Sequence, residues 1–145
     1  AFLSQSHGKN TFFHGHTYTG NQLVCSVALE NINLFKKKHL IGHIQKTSQK
    51  LKQRLEALQP HKNIGDIRGR GLMYGVELVE NKSTQTPLDI PTVELIIRRC
   101  KENGLMIRNL ENVITFVPIL SMSNKEIKKM VKIFDKALHQ TLGKK

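Results

Sequence analysis

The apolar residues of this chain change period at Pro60, and that change limits the fold more than any other feature. Before it, Leu23, Val24, Val27, Ala28, Ile32 and Phe35 recur at helical spacing and predict a helix from about Gln22 to Lys37. Leu40, Ile41, Ile44, Leu51, Leu55 and Leu58 predict a second, from about His39 to Leu58, which Pro60 ends. After Pro60, the segment IGDIRGRGLMYGVELV has too many glycines for a helix, and its Leu72–Val79 half predicts a strand. A polar loop, NKSTQTPLDI, follows. Pro91 then suits the first turn of a helix whose inward face is Val93, Ile96, Ile97 and Cys100, closed by Gly104 in a left-handed conformation. LMIRNL and VITFVPIL read as two strands joined around Glu111 and Asn112. Ser123 and Glu126 are spaced as a capping box for a last helix, which buries Ile127, Met130, Val131, Phe134 and Leu138.

The expected class is α+β. Residues 1–60 form an extended loop and two helices, with a β-prone stretch at Thr11–His14. Residues 61–145 form a compact unit with a small, mostly antiparallel sheet covered by helices, and the boundary falls near residues 59–63. A chain of 145 residues, 39% hydrophobic, can bury a real core as a globular piece. No apolar run reaches the roughly 18 to 20 residues that span a bilayer, and AFLSQSHGKN has no signal-peptide pattern, so a cytoplasmic protein with no membrane partner is expected. Cys25 and Cys100 lie far apart and outside any CxxC spacing; both are read as reduced, buried thiols.

A net charge of +12 raises nucleic acid as a partner. The lysines, however, are spread along helical segments, as in Lys46, Lys50, Lys125, Lys128, Lys129 and Lys132, where a solvated helix face accounts for them. With 6% aromatic residues and no tryptophan, nothing interleaves rings with basic groups to stack bases, and no nucleic-acid partner is expected.

The densest cluster of chemically capable residues is HGHTYTGN, His14–Asn21, just before the first helix. Glycines permit close backbone approach, hydroxyls donate to phosphate, and a helix start adds unpaired amides. The same residues also suit a plain N-cap with its turn. His14 and His16 alternate as two ligands on a strand would, but a catalytic zinc needs a third ligand that no spacing supplies, and no metal is expected. GRGLMYG breaks the GxGxxG spacing and leads into a strand; close packing or a bend explains its glycines. Arg108 stands in an otherwise apolar strand, facing either solvent or a cleft, and in a cleft its planar fork would clamp a carboxylate. No catalytic grouping of Ser, His and Asp, and no carboxylate pair, stands out.

Three stretches in order carry a resemblance. FFHGHTYTGNQLVCSVALENINLF is similar to the stretch that class III aminotransferases, enzymes of fold type I that use pyridoxal 5′-phosphate, carry after their cofactor-binding lysine. GDIRGRGLMYGVELV resembles the first strands of their small C-terminal domain, and GLMIRNLENVITFVPILSMSNKEI resembles the last strand pair and the entry to the final helix. The resemblance implies that residues 1–60 end the large cofactor domain and that residues 61–145 are the small domain of a homodimeric transaminase. Within the class, the His14–Ile32 stretch is most similar to members that work in biotin synthesis with S-adenosylmethionine as amino donor and a keto acid as acceptor. Members using ornithine, 4-aminobutyrate or lysine as donor are the alternative. By the resemblance, Thr17 and the backbone of His16 hold the cofactor phosphate of the neighbouring subunit, Gly15 lies against the substrate, and Arg108 binds the substrate carboxylate. His16 stands where some members have proline, and Gln22 where proline is usual. The resemblance places the catalytic lysine upstream of Ala1, and no lysine here matches its motif; Lys9 stands in SHGKN without the context. These 145 residues alone are therefore expected to be inactive.

Overall fold

The computed structural model describes residues 14–143 of the chain. The chain divides into two compact units, at Lys38/His39. The β-prone stretch expected at Thr11–His14 lies outside the described residues except for its last member.

The first unit is a turn followed by helix α1, Gln22–Lys37. The helix starts where it does because the Asn21 side chain accepts the Val24 amide at 3.1 Å, satisfying one of the orphan donors of the first turn. Lys36 and Lys37 complement the dipole at its other end. None of its residues is buried. Cys25, expected to be a buried thiol, is exposed, because the apolar stripe it belongs to is not covered in this structure.

The second unit opens with α2, Leu40–Glu56, which buries Thr47, Leu51 and Leu55 and packs on the last helix and the first strand. The boundary expected near residues 59–63 thus falls inside this unit, between α2 and β1. A turn hydrogen bond from the His61 amide to the Leu58 carbonyl (2.9 Å) carries the chain past Pro60.

Strands β1 (Ile64–Arg70) and β2 (Met73–Asn81) form an antiparallel hairpin closed by Gly71, at φ +60°, and Leu72. The first half of this hairpin does not stand out in the sequence because glycines interrupt it. One of them is required by packing. A Cβ on Gly69 would lie 2.2 Å from the Met73 carbonyl oxygen and 2.6 Å from the Tyr74 ring, which sits across the ladder from it.

The loop expected over residues 81–90 contains a two-residue strand, β3 (Thr86–Pro87), paired with β2. Helix α3, Ile90–Glu102, has Asp89 as N-cap, with its carboxylate accepting the Thr92 amide at 3.0 Å. Gly104, at φ +85°, turns the chain out of the helix, and the Leu105 amide returns to the Cys100 carbonyl at 2.9 Å.

Strands β4 (Arg108–Leu110) and β5 (Val113–Phe116) are shorter than the apolar runs that predict them. The helix-closing turn holds the residues before β4, and Pro118 has no amide to extend β5. The sheet is antiparallel throughout, in the order β1-β2-β5-β4, with β3 beside β2.

Helix α4, Asn124–Leu142, begins with the expected capping box. The Ser123 hydroxyl accepts the Glu126 amide, and the Glu126 carboxylate accepts the Ser123 amide at 2.7 Å. One core joins the sheet to α2, α3 and α4, with Phe116 and Phe134 meeting edge to face at 5.2 Å. Cys100 is buried in it, and burial pushes its thiol up to about 11, so at neutral pH it packs as a small hydrophobe.

Candidate functional site

Two places carry the residues singled out in the sequence, one in each unit. In the first, His14–Asn21 forms a turn and a helix start, as its composition predicts. The Thr19 hydroxyl accepts the His16 amide at 2.9 Å and donates to the His16 carbonyl at 2.8 Å, while the Thr19 amide also reaches that carbonyl. These bonds fold the loop on itself and use up the His16 backbone. Thr17 is left differently. It is exposed, and no described residue partners its hydroxyl or its amide. A Cβ on Gly15 would meet nothing within 4 Å, so whatever needs a glycine there is not an atom of this loop. His14 and His16 meet edge to face at 5.5 Å. Among the described residues no group of three or more His, Cys, Asp or Glu is arranged to hold a metal.

The second place is an open cavity of about 700 Å³ at one end of the sheet. Arg108, the first residue of β4, lies on its wall. Alternation along residues 105–110 explains the placement: Leu105 and Ile107 pack against the core, while Met106, Arg108 and Leu110 point the other way and are exposed. The cavity wall also takes in Leu105, Ile107 and Phe116 from the core side, so it lies at the end of the sheet, and Arg108 both reaches solvent and borders it. Thr115 stands opposite Arg108 across the ladder, and its hydroxyl donates to the Arg108 carbonyl at 3.0 Å. Among the described residues nothing pairs with the guanidinium. The rest of the wall is almost wholly apolar, including Phe116, Val117, Pro118 and Ile119. A lone, unpaired guanidinium beside such a surface suits a ligand with a carboxylate and an apolar body.

The methionines on this wall were not singled out as site residues in the sequence. Met73 is in β2, Met106 precedes β4, Met122 precedes α4 and Met130 is inside it. No spacing joins residues so far apart in the chain.

A model of the family described as aminotransferase class-III matches residues 2–138. The chain belongs to this family. Over all 145 residues it is 68% identical to a protein of Staphylococcus aureus named adenosylmethionine-8-amino-7-oxononanoate aminotransferase, and it spans 32% of that protein's length. A crystal structure of the enzyme of that name from Methanocaldococcus jannaschii superposes with a TM-score of 0.85 at 36% identity, covering 97% of this chain and 33% of the other. A probable gamma-aminobutyrate transaminase of Oryza sativa is 33% identical over 141 residues, covering 95% of this chain and 29% of the relative. The chain thus spans about a third of the length of the curated class-III relatives it matches. The α+β class and the antiparallel sheet flanked by helices are those of this family's domain.

Proposed function

We propose that the chain is the C-terminal part of a cytoplasmic, homodimeric, pyridoxal-phosphate-dependent transaminase. In this reading the whole protein transfers an amino group from S-adenosylmethionine to 8-amino-7-oxononanoate, giving 7,8-diaminononanoate in biotin synthesis. The observation that carries the site is the unpaired guanidinium of Arg108 on the wall of an apolar cavity. The likeness at 68% identity supports this branch over a gamma-aminobutyrate transaminase, matched at 33%. In the whole protein, residues 1–60 would end the large domain, with α2 leading the chain onto the small domain of residues 61–145.

The loop fits a phosphate through Thr17, whose hydroxyl and amide are both unused donors; the His16 amide, taken by Thr19, contributes position instead of a contact. When bound, the cofactor supplies an electron sink for charge developing beside the transferred amine. These 145 residues supply no catalytic group of their own in this scheme. Thr17 holds the phosphate presented by the partner subunit. Gly15 leaves room for the substrate to lie against the backbone. Arg108 fixes the substrate carboxylate, so that the reacting carbon is held in one orientation.

Arg108→Ala in the full-length enzyme tests this. A charge-assisted contact of this kind contributes about 1.5 to 3 kcal/mol, so kcat/KM for the keto acid should fall roughly ten- to a hundredfold. Arg108→Lys should recover part of it, because a point charge lacks the fork. Retained cofactor absorbance is expected. An unchanged kcat/KM, or loss of cofactor in place of substrate affinity, would overturn the assignment. Assays of S-adenosylmethionine against 4-aminobutyrate and ornithine as donors separate the two branches.

A further inference from the structure

Arg68, Gly75, Thr115 and Arg108 form a single rung across the sheet, one residue from each of β1, β2, β5 and β4. Residues opposite one another in a ladder share a face, and this rung lies on the face that the core does not use. The two sides of Thr115 are therefore unequal. On the β2 side stands Gly75, which offers no side chain. On the β4 side stands Arg108, and the Thr115 hydroxyl donates to its carbonyl at 3.0 Å.

The core does not need that hydroxyl. Two residues before and two after Thr115 the chain has Val113 and Val117, and a valine at 115 would have nearly the same shape and the same preference for a strand. What threonine adds is one donor, and the donor goes to Arg108.

Arg108 is a residue for which such a bond matters. Strand β4 is an edge strand of three residues, and Arg108 is the first of them; Met106 and Ile107 before it lie outside the ladder. The end of a short edge strand opens more readily than an inner rung. Any shift of its backbone is passed on to the guanidinium, whose contact with an anion weakens steeply as distance and angle depart from the optimum. The other end of the β4–β5 hairpin is held separately. There the buried Asn112 side chain donates to the Leu78 carbonyl at 2.7 Å, and the Leu78 amide donates to the Asn112 carbonyl at 2.9 Å. Asn112 thus fastens the turn to β2, while the Thr115 hydroxyl fastens the open end at Arg108.

We infer that Thr115 is a positioning residue, whose hydroxyl holds the Arg108 backbone at the end of the edge strand and so sets where the guanidinium meets a carboxylate. This rests on the proposed reading of Arg108 as the carboxylate site. It adds the group that aims the arginine, and that group acts through Arg108 without touching the substrate.

The test is a double-mutant cycle in the full-length enzyme. Thr115→Val keeps the shape and removes the donor. Its kcat/KM for the keto acid should fall about two- to tenfold, the range of one neutral hydrogen bond, through a higher KM at unchanged kcat. Thr115→Ser keeps the hydroxyl and should recover most of the loss. In the Arg108→Ala enzyme the same Thr115→Val change should cost less than about twofold, because the group it aims is gone. Asn112→Ala supplies the contrast: it should lower the unfolding midpoint, and whatever activity it costs should be the same with Arg108 present or removed. A valine variant with unchanged kcat/KM, a serine variant no better than the valine one, or an equal loss in both backgrounds would overturn the inference and leave Thr115 as an ordinary strand residue. Coupling of Asn112 to Arg108 as large as that of Thr115 would overturn it too, since any loosening of the hairpin would then move the arginine. These outcomes leave the carboxylate reading standing. An Arg108→Ala enzyme with unchanged kcat/KM would instead overturn that reading, and the inference with it.

Discussion

Helices α1 and α4 begin in the same way: Asn21 accepts the Val24 amide and Ser123 accepts the Glu126 amide, so each first turn has one orphan donor satisfied by its cap. Their outcomes differ. Helix α4 buries Ile127, Met130, Val131, Phe134, Ala137 and Leu138, whereas no residue of α1 is buried. Leu23 stays 75% exposed and Val27 64% exposed. Capping and apolar spacing thus define where a helix starts and stops, but they do not say whether its apolar side is covered. In water, an isolated helix of this length is marginal, and most helical stability in proteins comes from packing of the apolar face. The unit from His39 onward has that packing; the unit ending at Lys38 shows only the local part.

The largest expected effect follows from this contrast. Phe134 is fully buried and meets Phe116 edge to face. Phe134→Ala should cost the chain about 3 to 5 kcal/mol in urea denaturation followed by far-UV circular dichroism, through lost transfer energy and a cavity. Leu23→Ala should change it by less than about 0.5 kcal/mol, as at an exposed site. Equal costs for the two would show that α1 is as much a part of the cooperative core as α4.

A smaller effect separates the two caps. Ser123→Ala should destabilise the chain by about 1 kcal/mol, since α4 unfolds only with the core. Asn21→Ala removes a cap of the same kind and should leave the global transition where it was, while amide exchange over residues 22–26 speeds up. A shift of the global midpoint by Asn21→Ala comparable to that of Ser123→Ala would mean that α1 is thermodynamically joined to the second unit.

The caps also show what was legible in the sequence. The bounds of α1 and the buried face of α4 follow from period and capping chemistry, both of which act within a few residues. Strand β1 was obscured because Gly65 and Gly69 lower its strand character. The Tyr74 ring that occupies the space beside Gly69 comes from the neighbouring strand. Arg108 was visible as a charge among apolar residues. Alternation says which face it takes, but not whether that face meets open solvent or a cavity, since the cavity is made by the β4–β5 hairpin, the segment after Pro118 and α4. For the same reason the methionines of the cavity lining had no sequence signal. Apolar spacing alone does not imply burial, which is why Cys25 is exposed against expectation.

The smallest effect concerns charge at the two helix starts. Glu126 sits in the first turn of α4, and its hydrogen bonds from the Ser123 side chain and backbone hold its carboxyl below the usual glutamate range. Helix α1 has no acidic residue in its first turn. A group that ionises more readily when folded binds its proton first in the unfolded chain, so stability should rise with pH across this window. The contribution is therefore fully present at neutral pH and is lost as the pH falls from the ordinary glutamate range through the depressed folded value. It should be modest, because the carboxylate is exposed to water and salt. Asp89, the N-cap of α3, is also depressed, by its bonds from Thr92, and adds a parallel acid dependence that must be subtracted. Glu126→Gln achieves this, since an amide can occupy the same capping position without titrating and Asp89 is unchanged in both proteins. The stability difference between parent and variant should shrink as the pH is lowered and vanish below the folded value. In the same titration the amide signals of residues 22–26 should not follow it. A difference that is independent of pH would show that the charge on Glu126 contributes nothing beyond its hydrogen bond. Movement of the α1 signals with Glu126 would show that the two helix starts are coupled.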